Sequence, residues 1–83
     1  MQFNERRYLS DYLSEKFPDY RSEEITELLV LIEDSLSLLE KYEYDWSKLE
    51  IAFINNLGES EGREGLRVLK EHLLLYREFK ELD

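Results

Sequence analysis

Pro18 is the only proline, and Gly58, Gly62 and Gly65 are the only glycines, in these 83 residues. Between these breakers the apolar residues recur at steps of three and four. No stretch alternates with a period of two for long enough to make a good strand. So few breakers and one dominant period leave an all-α fold as the natural outcome.

The spacing predicts four helices. The first covers residues 4–16, with Asn4 as N-cap and Phe3 stapled on Tyr8. Tyr8, Leu9, Tyr12, Leu13 and Phe17 form its apolar stripe. Pro18 stops it, because the residue before a proline avoids the helical region. The second helix starts from Ser22 as N-cap, with Glu23 and Glu24 at the positive end of its dipole, and runs to about Tyr42. Ile25, Leu28, Leu29, Ile32, Leu36 and Leu39 make its stripe, and Leu31, Leu38 and Tyr42 widen it. A stripe that broad belongs to a central helix with two neighbours.

Ser47-Lys48-Leu49-Glu50 has the form of a capping box, and Trp46 and Ile51 stand where a staple would. The third helix therefore starts there, with Leu49, Ala52, Phe53 and Leu57 facing inward. Gly58 is placed to be its left-handed C-cap. The fourth helix begins within residues 61–65 and runs to about Leu82. Leu66, Leu69, Leu73 and Tyr76 form one row on it, and Val68, His72, Leu75 and Phe79 the next. Short connections then imply a small four-helix antiparallel bundle, a single helical domain over 1–83 with about 70% of its residues helical.

A chain of this length buries a limited share of its surface. It has no cysteine, hence no disulfide and no thiolate-bound zinc, so reinforcement must come from packing or from oligomerisation. Its 42% hydrophobic and 13% aromatic content supplies a core and argues against a disordered acidic tail. The N-terminus has charge but no apolar h-region behind it. The longest apolar run, Leu28 to Ile32, is far short of the roughly 20 residues that span a bilayer. The expectation is a cytoplasmic protein that does not bind membranes.

Catalytic chemistry finds little material. His72 is the one histidine, and no serine or carboxylate stands at a spacing that would tie it into a nucleophilic site. A half-buried histidine bonded to a carbonyl or carboxylate is the plainer reading, with a pH switch as the functional one. A di-iron bundle needs Glu-x-x-His on two helices, whereas the residue three before His72 is Leu69. The segment from Glu59 to Glu64 lacks EF-hand spacing. The three glycines lack the strand and the Gly-Lys-Ser/Thr of a phosphate loop, and Glu59, Glu61 and Glu64 would repel phosphate. Gly62 and Gly65 either shape a loop or permit close helix approach. We expect no enzyme activity, metal or cofactor.

Charge carries the functional signal. Twenty acids face eleven bases, for a net charge of −9. Residues 21–47 hold eight of the acids against Arg21 and Lys41 alone. Such a field repels nucleic acid and steers a basic partner inward. Arg6, Arg7, Arg63, Arg67 and Lys70 make no large basic patch, so direct nucleic-acid binding is not expected. A carboxylate row on the second helix, including Glu27, Asp34 and Glu40, could instead mimic a phosphate backbone. It ends in Tyr42-Glu43-Tyr44-Asp45-Trp46. Tyrosine and tryptophan anchor interfaces, and the neighbouring carboxylates suit lysine or arginine on a partner. Tyr44 is expected to be exposed, whereas Trp46 is expected to cover the core.

Two short patches, Leu9-Ser10-Asp11-Tyr12 with Phe17, and Ser22-Glu23-Glu24, are similar to the N-terminal half of the DNase-colicin immunity proteins. Tyr42 and Tyr44 loosely correspond to that family's paired tyrosines. The junction after the second helix is shorter here, and the C-terminal half does not match. The resemblance implies an acidic four-helix inhibitor.

These signals combine into an expectation of a non-catalytic protein-binding domain of the inhibitor, immunity or antitoxin kind. Glu27, Asp34, Glu40, Tyr42, Glu43, Tyr44, Asp45 and Trp46 would meet a basic partner protein, such as a nuclease or a nucleic-acid-binding protein. The alternative is a homodimeric structural or adaptor module joined through Val30, Leu74 and Leu31 or Leu38. The sequence is compatible with a monomer or a homodimer.

Overall fold

The structure, a computed structural model, describes residues 3–82. It contains α1 (Phe3–Lys16), α2 (Ser22–Lys41), α3 (Trp46–Leu57) and α4 (Glu59–Lys80). Together these hold 85% of the described residues, with no strand among them. The small helical bundle is as expected, and its helical share exceeds the expected share.

The bounds differ from the sequence reading where capping was assigned. Asn4 lies inside α1 rather than capping it. The expected staple rests on the Phe3 side chain, which lies outside the described residues. Ser22 is the first helical residue of α2, and Arg21 takes the N-cap position. Glu24 reaches back there, its Oε1 accepting from the Arg21 backbone N–H at 3.1 Å. That is one arm of a capping box. The connector before it is tight. The Tyr20 N–H donates to the Phe17 carbonyl at 3.0 Å across Pro18, and the two rings stack at 4.9 Å.

Leu9 and Leu13 of α1 close against Ile25, Leu29 and Ile32 of α2, and Leu75, Tyr76 and Phe79 of α4 pack on the same cluster. These α1 and α2 residues belong to the stripes the spacing identifies, but Tyr8, assigned to the α1 stripe, is 62% exposed. Leu31, assigned to the widened stripe, is instead exposed, while Leu38 and Tyr42 are half-buried. Polar ties reinforce the junction of α1 with its neighbours. Arg6 pairs with Glu33 at 3.2 Å, and Lys16 with Glu78 at 2.6 Å. Glu5 accepts from the Tyr76 hydroxyl and pairs with Lys80 at 3.2 Å. The Tyr76 hydrogen bond holds the Glu5 carboxyl below its usual range. Burial, aided by Glu5, pushes the Tyr76 hydroxyl up to about 12. Lys16 likewise depresses Glu78.

The second half of the core is the seam between α3 and α4, where Leu49, Leu66 and Leu69 are buried. One residue, Gly58, joins these helices. It ends α3 at φ 87° and ψ 167°, and its N–H donates to the Ile54 carbonyl at 2.8 Å. The positive φ fits the expected C-cap, but ψ lies in the extended mirror region open essentially to glycine rather than in the left-handed helical well. Because α4 begins at Glu59, Gly62 and Gly65 are helical, which decides between their two sequence readings. A Cβ on Gly62 would stand 2.8 Å from the Ile54 Cα and N and from the Phe53 carbonyl carbon. Glycine there lets the two backbones touch.

Candidate functional site

The acidic face of α2 is real and is not compensated. Glu27, Asp34 and Glu40 are exposed, and none of them forms an ion pair among the described residues. Elsewhere many acids are matched, although Asp11, Glu15, Asp19 and Glu61 also form no ion pair among the described residues. Arg67 bridges Glu64 and Glu71, Arg77 pairs with Glu81, and Arg63 reaches both Glu50 and Glu59. Glu33, on the flank of α2, is neutralised by Arg6. From Glu27 to Glu40 the face runs roughly 20 Å, at 1.5 Å per helical residue.

Next to it the chain turns in an unusual way. Glu43 has φ 59° and Tyr44 has φ 61°, and neither is a glycine. The Tyr44 N–H donates to the Leu39 carbonyl at 2.8 Å, and the Glu43 N–H to the Glu40 carbonyl at 3.0 Å. This is the Schellman pattern, with Glu43 in the position that glycine usually fills. The Asp45 N–H then donates to the Tyr42 carbonyl at 3.0 Å, closing a second turn around Tyr44. A left-handed residue with a Cβ costs about 1–2 kcal/mol. Two in succession are held by the helices on either side, and strained backbone of this kind clusters at functional sites. The sequence reading missed this strain, because no glycine or asparagine marks the position.

The turn sets the exposure of the aromatic cluster. Tyr44 is 66% exposed, as expected, and Tyr42 is half-buried. Trp46 corrects the sequence reading: it is 39% exposed and lies at the surface beside α4, with Lys70 Nζ 5.2 Å from its ring centroid. The Ser47 capping box is also corrected. Asp45 is the N-cap of α3, its Oδ1 accepting from the Ser47 N–H at 2.9 Å and the Lys48 N–H at 3.3 Å. An aspartate emerging from the turn with extended φ and ψ wins over a serine already inside the helix. The proposed staple fails with it, since Ile51 is 60% exposed. Leu57, expected to face inward, is exposed too. Glu43 is exposed and 3.6 Å from Lys48.

Glu40, Tyr42, Glu43, Tyr44, Asp45 and Trp46 are thus gathered at the α2–α3 junction, with Glu27 and Asp34 extending the face along α2. His72 is half-buried on α4. Among the described residues no group of three or more His, Cys, Asp or Glu side chains is arranged to hold a metal ion. No helix there is long and apolar enough to cross a membrane. Comparison with known protein families, characterised proteins and solved structures gives no match.

Proposed function

We propose that this is a non-catalytic protein-binding domain that occludes a basic site on another protein, in the manner of an inhibitor, immunity protein or antitoxin. The observation that carries the reading is the run of unpaired carboxylates on α2 leading into a strained turn that holds Tyr44 out in solvent. The negative face steers the encounter, and the aromatic side chain anchors the complex afterwards. A preformed turn lowers the ordering cost of binding. A nuclease or other nucleic-acid-binding protein has the required basic surface.

The test begins with affinity capture from the native host, comparing the wild type with Tyr44→Ala. Asp45 is left intact, because replacing it would uncap α3. With the captured protein purified, Glu27→Lys/Asp34→Lys/Glu40→Lys is expected to slow association at low salt and flatten its salt dependence, since exposed charges are screened beyond about 8 Å at physiological ionic strength. Tyr44→Ala is expected mainly to speed dissociation. An on-rate unchanged by the triple reversal would reduce the acidic face to a solubilising surface and remove the support for this reading.

A further inference from the structure

We draw no further inference here: the strongest candidate, the exposed apolar patch of Val30 and Leu31 on the outer face of α2, is bordered by Arg6 and Arg7 as well as by acids, and nothing in the structure shows what covers it.

Discussion

Replacing Gly62 with alanine sets two effects of opposite sign against each other. In a helix interior alanine is favoured over glycine by about 1 kcal/mol. The new Cβ, however, would stand 2.8 Å from three backbone atoms of α3, namely the Ile54 Cα, the Ile54 N and the Phe53 carbonyl carbon. Ordinary carbon contacts lie at about 3.5–4.0 Å. Backbone has no rotamer to escape into, so α3 must retreat by about 1 Å. A gap of that size forfeits up to half the dispersion energy of the contacts it opens. Those contacts include the buried seam of Leu49, Leu66 and Leu69. Overpacking of this kind costs about 1–3 kcal/mol. Taking the upper part of that range, because backbone meets backbone, the net loss is about 2 kcal/mol. For a domain of this size that lowers the Tm by about 8–16 °C. Gly65→Ala is the control. Its Cβ would meet Phe53 Cδ2 at 3.2 Å, a ring that can shift, so the propensity gain should leave it neutral or slightly stabilised. Urea and thermal unfolding followed by circular dichroism separate the two. A Gly62→Ala variant as stable as the wild type would show that α3 and α4 do not touch through their backbones.

Gly58→Ala should destabilise by about 1 kcal/mol or more in the same assay, from strain alone, because its φ is 87° and a Cβ there would meet nothing within 4 Å. Glu43→Gly should act in the other direction. Relief of about 1–2 kcal/mol of left-handed strain outweighs the extra chain entropy of glycine, about 0.5–1 kcal/mol, so the urea midpoint should rise. The exposed pair with Lys48 adds little to that balance. Glu5 and Glu78 have lowered carboxyl pKa values, so their stabilising contribution is present above the ordinary carboxylate range and is lost as pH falls through their folded values. Unfolding midpoints should drop as pH falls below the ordinary carboxylate range, and Tyr76→Phe should return Glu5 toward its ordinary titration, followed by carboxyl NMR. Tyr76 is raised, so its contribution is present below its ordinary pKa of 10.0 and disappears as pH rises through about 12.

The sequence by itself determined the α-helices and which sides of α1 and α2 go inward. Leu9, Leu13, Ile25, Leu29 and Ile32 are buried where their spacing places them, because a helix converts residue steps into a face without reference to anything distant. Pro18 likewise ended α1 through a purely local clash. The exposure of the α2 carboxylates was legible for the same reason. Tertiary structure decided the rest. Gly62 could be read as loop or helix until the backbone of α3 was found against it, since the reason for a missing side chain lies on the neighbouring helix. Two capping signals competed before α3, and Asp45 prevailed over Ser47 because the preceding turn delivers it in an extended conformation. That turn places Glu43 and Tyr44 in left-handed conformations that their identities disfavour, and only the helices clamped on either side can hold such strain in place. The grouping of Trp46 with Lys70, Leu74 and Arg77 joins residues more than twenty positions apart. No periodicity encodes that, because it depends on how α3 folds back onto α4 through a single glycine.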